Sequence, residues 1–146
     1  MDTLTLLQTQ ITEIMNTSVI TVDPKTSLEK VKDILNNNNI HHLPVVNKIG
    51  VLEGIISKSD LLLLLDWGTK FNLESSIRKN AFMLKSNLAS DIMSKDVVSL
   101  NPQDSVQKCL DIFRENYFRA MPVVDSQNKF LGLVTTYDLL IEAFRV

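Results

Sequence analysis

Cysteine occurs once in 146 residues, at Cys109, so no internal disulfide can form and a reducing compartment is expected. With only two histidines beside that one cysteine, the side chains needed to complete a zinc site are missing. Long apolar runs are missing too. The longest, Leu61–Leu65, is closed by Asp66, far short of the roughly 20 apolar residues that cross a bilayer. The start, MDTLTLLQTQ, has neither a basic region nor a continuous apolar stretch, so no secretory leader is expected and the protein is read as cytoplasmic. Nor is there an excess of positive charge. Fifteen Lys and Arg against seventeen Asp and Glu give a formal net charge of −2, which excludes a surface built as a whole to attract nucleic acid or anionic lipid. What remains is 45% hydrophobic and 22% charged, an ordinary globular composition at a common domain size.

The chain is internally repeated. Shifted by 78 residues, positions 14–62 fall on 92–140 without a gap, and 16 of the 49 pairs are identical. Ile14-Met15 meets Ile92-Met93, Pro44-Val45-Val46 meets Pro122-Val123-Val124, and GIISKSD (Gly54–Asp60) meets GLVTTYD (Gly132–Asp138).

Each copy reads as strand, helix, strand, strand, helix. Val19–Val22 is short and β-branched, and Asp23-Pro24 closes it. Thr26-Ser27 signals a helix start, followed by Leu28, Val31, Ile34 and Leu35 on one face. In copy two that face is Val106, Cys109, Ile112 and Phe113, which makes Cys109 a small buried residue. Asn36–Asn39 end the helix. Leu43–Val46 is a second strand with Pro44 at its start, and Val51–Ser57 is a third. A helix carrying Asp60 in its first turn then runs through Leu65. Short helices are expected ahead of the copies, near Ile11–Met15 and Leu88–Met93. The stretch LESSIRKNAFML in the connector suggests one more helix. With Lys70, Arg78, Lys79 and Lys85 against Glu74, that connector is either a solvated face or a phosphate- or partner-binding patch.

The ordered set VITVDPKTSLEKVKDIL, HHLPVV and GIISKSDLL, with VVSLNPQDSVQKCLDIF, RAMPVVD and GLVTTYDLL in copy two, resembles a tandem pair of CBS domains, a Bateman module. The resemblance implies an α+β fold of two repeats whose sheets pack together about a pseudo-twofold axis with helices outside. It divides the chain into repeat one (1–67), a connecting segment (68–87) and repeat two (88–146). It also implies a regulatory module rather than an enzyme, binding AMP, ADP, ATP or S-adenosylmethionine in clefts between the repeats, with no required cofactor.

Under that resemblance Ser57 and Thr135 would donate to phosphate, and Asp60 and Asp138 would accept from a ribose diol. Taken alone, the same residues are good helix caps. His41 and His42, and Arg119 in copy two, would contact phosphate, whereas Ala120 cannot. Ile20, Thr21, Leu43 and Pro44, with Val98, Ser99, Met121 and Pro122, would frame an apolar slot for a base. Lys58 against Thr136 makes the two sites unequal. The helix DLLLLLDW is apolar on more than one face, so a homodimer through Leu61–Leu65 and Leu139–Phe144 is expected, alongside an unidentified regulated protein. The competing readings are a ligand-free oligomerisation or docking module and, more weakly, nucleic-acid binding through the connector. No Ser–His, Cys–His or carboxylate pair is brought together by the repeat, so catalysis is not expected.

Overall fold

The computed structural model describes residues 2–65 and 73–145; Asp66, Lys70 and the start of the connector at Gly68 lie outside the described residues. The elements are α1 (Thr3–Gln8), a 3₁₀ turn (Ile11–Glu13), α2 (Leu28–Asn37), β1 (His42–Val46), β2 (Leu52–Ser57), α3 (Lys58–Leu64), α4 (Leu73–Ser86), α5 (Ala89–Ile92), α6 (Val106–Asn116), β3 (Ala120–Val124), β4 (Phe130–Thr135) and α7 (Thr136–Ala143). They fall into two compact units. The copy-one unit holds residues 20–49 and 53–96, and the copy-two unit holds 1–19, 50–52 and 97–146.

In the copy-one unit, Ser27 caps α2 by accepting from the Lys30 N–H at 3.3 Å. Leu28, Val31 and Leu35 recur at helical spacing and are fully buried. They meet Leu43 and Val45 of β1, Ile56 of β2 and Leu61 of α3 in one core. Leu84 of α4 and Ala89 of α5 complete it, with Ile92 and Met93 packed alongside. Backbone bonds fasten this lead-in to the start of α2: Leu28 N–H to Asn87 C=O at 3.0 Å, Ala89 N–H to Thr26 C=O at 2.7 Å, and Ser90 N–H to Pro24 C=O at 3.0 Å.

The copy-two unit repeats this plan with the N-terminal segment. Ser105 caps α6 through the Lys108 N–H at 3.1 Å. Val106, Cys109 and Phe113 join Met121 and Val123 of β3, Val134 of β4 and Leu139 of α7. Leu6 of α1 and Ile11 complete that core. Ile11 donates to Asp104 C=O at 2.8 Å, and Val106 donates to Thr9 C=O at 2.9 Å. The lead-ins are thus exchanged: residues before copy one finish the core of copy two, and residues before copy two finish the core of copy one. Packing thus groups each lead-in with the other copy.

The exchange explains both glycines of the repeated motif. A Cβ on Gly54 would lie 2.7 Å from Met93 Sδ and 2.7 Å from the Ser94 carbonyl oxygen. A Cβ on Gly132 would lie 2.8 Å from the Asn16 carbonyl oxygen and 3.1 Å from Met15 Sδ. Met93-Ser94 and Met15-Asn16 are therefore the partners of these glycines.

The sheets are two-stranded, β1 with β2 and β3 with β4. β3 and β4 run antiparallel, from Ala120 opposite Thr135 to Val124 opposite Phe130. The strands expected at Val19–Val22 and 97–100 reduce to single parallel bridges, Val22 with Val45 and Leu100 with Val123. Each bridge carries two hydrogen bonds, such as Val46 N–H to Val22 C=O at 2.8 Å and Val22 N–H to Pro44 C=O at 3.1 Å. Pro24 and Pro102, which have no N–H, stop the pairing two residues later. Helix α1 is additional to the expected elements; Asp2 caps it by accepting from the Thr5 N–H at 2.7 Å.

Candidate functional site

The expected site residues of each copy fall within a single unit. In the copy-one unit β1 begins at His42, and β2 ends at Ser57, where α3 starts. The Lys58 N–H donates to the His41 carbonyl at 2.8 Å, which joins the first turn of α3 to the residue ahead of β1. The copy-two unit makes the same bond, from the Thr136 N–H to the Arg119 carbonyl at 3.0 Å. The residues ahead of the two strands, His41 and Arg119, are thus each tied to the helix turn that carries a hydroxyl and a carboxylate.

The hydroxyls and carboxylates form capping boxes. Ser57 Oγ accepts from the Asp60 N–H at 3.0 Å while Asp60 Oδ2 accepts from the Ser57 N–H at 3.4 Å. Thr135 Oγ1 accepts from the Asp138 N–H at 3.0 Å and Asp138 Oδ2 from the Thr135 N–H at 2.9 Å. These are S/T-x-x-D versions of the reciprocal helix start. The second carboxylate oxygen of each Asp accepts no hydrogen bond among the described residues. Asp60 is exposed and Asp138 half-buried.

The base-slot residues separate into two groups. Ile20 and Val98, equivalent by the 78-residue offset, are each 39% exposed, with Thr21 exposed and Ser99 half-exposed beside them. Leu43 and Met121, by contrast, are fully buried in the cores, and Pro44 and Pro122 are buried with them. Leu43 and Met121 each pack in the core of their own unit, and the Pro44 and Pro122 carbonyls accept from the Val22 and Leu100 N–H groups of the same unit. His41 and Arg119 are exposed, His42, Lys58 and Ala120 half-exposed. A shallow cleft of about 450 Å³ between the Asp23–Lys25 and Asn47–Ile49 turns contains none of these residues; it lies beyond the far end of β1.

Sequence reading passed over three aromatic residues beside Arg119: Tyr117, Phe118 and Tyr137. The signal was available, because the repeat sets them against Asn39, Ile40 and Ser59. Among the described residues no cluster of three His, Cys, Asp or Glu could hold a metal ion, and no helix is long and apolar enough to cross a membrane.

Comparison with known proteins agrees with the repeat. A CBS domain-containing protein of Dictyostelium discoideum is 33% identical over 131 residues, covering 88% of this chain and 86% of that protein. Homoserine O-acetyltransferase of Methanosalsum zhilinae is 28% identical over 129 residues, but the chain spans 23% of that enzyme's length. Among solved structures, CBSX2 in complex with AMP superposes with a TM-score of 0.77 at 22% identity, covering 93% of this chain and 96% of that one. The CBS domain pair of protein MJ0100, in complex with 5′-methylthioadenosine and S-adenosyl-L-methionine, gives 0.69 at 24% identity over 90% and 93% of the two chains. The CBS domain family profile itself matches residues 11–66 and 89–144. With both copies matched over most of the chain, this protein belongs to the CBS domain family.

Proposed function

We propose that this chain is a non-catalytic, cytoplasmic regulatory module that binds an adenine nucleotide or related adenosyl ligand and passes the binding energy to a partner or to its own assembly. One observation carries the reading. Twice, a backbone bond of 2.8–3.0 Å ties the carbonyl of a residue able to bear positive charge, His41 or Arg119, to the helix residue, Lys58 or Thr136, that stands between a capping Ser57 or Thr135 and an Asp whose second carboxylate oxygen accepts no bond among the described residues. An exposed apolar residue, Ile20 or Val98, accompanies each set in its own unit. Cation, hydroxyl, diol acceptor and apolar edge are the parts a nucleotide needs. Ligands found in relatives of the same fold, AMP and S-adenosyl-L-methionine, support the choice of class. The ligand would shift an arrangement only through different affinities for its two states.

The test is thermal melting with AMP, ADP, ATP and S-adenosylmethionine. At about 100 times its dissociation constant a ligand adds roughly 2.7 kcal/mol, a rise of several degrees. Asp60→Asn and Asp138→Asn keep one oxygen for the capping bond while losing the carboxylate, so each should reduce binding without unfolding the chain. Calorimetry should resolve unequal affinities, because Lys58 and His42 face Thr136 and Ala120 at the equivalent positions. No shift with any ligand would reject the reading.

A second reading is favoured by the capping boxes, which account for Ser57, Asp60, Thr135 and Asp138 without a ligand. The chain would then serve only for oligomerisation or docking. Leu62 and Leu63 of α3, Tyr137, Leu140 and Ile141 of α7, and Phe144 just after it are exposed, which suits a homodimer through these helices. Light scattering at tens of micromolar decides it: a monomer refutes the dimer, and a dimer that melts identically with every nucleotide favours this second reading.

A further inference from the structure

Tyr117 follows α6 in the left-handed region, at φ 57° and ψ 24°, and its side chain is 90% exposed. The equivalent residue of copy one, Asn39, adopts φ 50°. Asparagine is a common occupant of that conformation, whereas a bulky aromatic there is an outlier. The fold asks for the backbone turn and not for the ring. A strained residue whose side chain makes no core points to a role outside folding.

Tyr117 does not stand alone. Phe118 follows it, 38% exposed, and then comes Arg119. The bond from the Thr136 N–H to the Arg119 carbonyl at 3.0 Å brings the first turn of α7 to the same place, and that turn carries Tyr137, 67% exposed. Copy one has Asn39, Ile40 and Ser59 at these positions. One cation with exposed aromatic residues next to it in the chain and across the Thr136–Arg119 bond is therefore particular to the copy-two unit.

We propose that the copy-two site takes a dinucleotide, with its second base on Tyr117 and Tyr137. The inference rests on the nucleotide reading above, in which Arg119 meets phosphate. Along the chain the parts stand in the required order. The Leu100–Val123 bridge counts back to Val98 level with Met121, where the first base would lie. In the chain Arg119 precedes Met121 by two residues, for the phosphates, and Tyr117 precedes Arg119 by two, ahead of β3. Aromatic faces stack on any base, and a guanidinium pairs with phosphate in a fixed fork. A longer single-stranded nucleic acid fits less well, because Arg119 is the one cation in this cluster and the chain carries a net charge of −2.

The test is calorimetry on the full chain with AMP, NAD and diadenosine polyphosphates of two to four phosphates. The wild type should bind at least one dinucleotide more tightly than AMP, by roughly 5- to 150-fold for one stacked base. The double variant Tyr117→Asn, Tyr137→Ser installs the residues that copy one already accommodates. It should erase that advantage while AMP affinity changes less than about twofold, and Tyr117→Asn alone should raise the melting temperature of the unliganded chain. A dinucleotide no tighter than AMP in the wild type, or an advantage surviving in the double variant, overturns the second-base inference and leaves the nucleotide reading standing. Absence of binding by AMP and every dinucleotide overturns both.

Discussion

Gly54→Ala is the sharpest probe of the exchanged lead-in. In an ordinary strand this change would gain stability, about 0.5–1 kcal/mol, by restricting the unfolded chain. Here the new methyl would sit 2.7 Å from both Met93 Sδ and the Ser94 carbonyl oxygen. The sulfur can swing away, but the carbonyl cannot. Ser94 exchanges two backbone bonds with Ile55, Ile55 N–H to Ser94 C=O at 3.1 Å and Ser94 N–H to Ile55 C=O at 2.9 Å. Relieving the clash means displacing a paired backbone next to the altered residue. Overpacking costs about 1–3 kcal/mol, and weakening one of the two bonds adds about 1 kcal/mol. Net destabilisation should be about 1–3 kcal/mol, or roughly 3–10 °C in melting temperature for a chain of this size. Urea denaturation followed by circular dichroism measures it. Met93→Ala in the Gly54→Ala background should recover only part of the loss, because the carbonyl contact persists. Gly132→Ala should behave alike through Asn16, whose C=O accepts from Leu133 at 3.0 Å and whose N–H donates to Leu133 C=O at 2.9 Å. A neutral or stabilising Gly54→Ala would show that residues 93–94 do not lie against β2, and the exchange argued from them would fall.

Cys109 is fully buried on α6, and its thiol is pushed up to about 12 by loss of solvation and then by the nearby Asp104 carboxylate; an aromatic disulfide reagent at pH 8 should react with it only after denaturant is added. Asp125 accepts from the Gln127 N–H at 2.8 Å and the Lys129 N–H at 3.0 Å, and these backbone donors, Lys129 first, hold its carboxyl below the usual range. Its stabilising effect is therefore present above the unfolded value of about 4 and is lost as pH falls through the lower folded value; the stability gap between wild type and Asp125→Asn at pH 7 should close in acid, and a gap independent of pH would refute the assignment. A fragment of residues 20–96 keeps every residue of the copy-one core, whereas 1–67 lacks Leu84 and Ala89 and leaves Leu6 and Ile11 without their partners; amide exchange should show a protected core in the first and none in the second.

Much of the fold was legible because the chain states it twice. The faces Leu28–Val31–Leu35 and Val106–Cys109–Phe113 follow from helical spacing, and the two capped helix starts at Ser27 and Ser105 from side-chain chemistry. Which lead-in joins which core was not legible. Periodicity registers that Ile14-Met15 and Ile92-Met93 are equivalent, but a two-copy repeat is unchanged when equivalent segments trade places. The choice depends on long-range packing against Gly54 and Gly132, to which no local propensity refers. The single-bridge first strands were over-read for a related reason. β-branched residues at Val19–Val22 favour extended backbone, but a strand needs a neighbour for its whole length, and only Val22 and Leu100 have one.

The site divides along the same line. Ser57 with Asp60 and Thr135 with Asp138 were found easily, yet the atoms offered for a ligand are the atoms that start a helix, and four hydrogen bonds at 2.9–3.4 Å already use them. Agreement between the copies cannot separate the two roles, since a duplicated fold duplicates its caps. Disagreement can. Both copies build the same turn before the strand, the same bond from helix to strand start and the same capping box, so whatever differs at those positions is not demanded by the fold. Among the differences are His41 against Arg119, His42 against Ala120, Lys58 against Thr136, Asn39 against Tyr117 and Ser59 against Tyr137. They gather at one end of each strand pair, where copy one has two imidazoles and an ammonium and copy two has a guanidinium and aromatic surface. In the nucleotide reading these are the differences that make the two sites unequal. If exchanging these five residues between the copies leaves nucleotide affinities where they were, that reasoning fails, whatever the caps do.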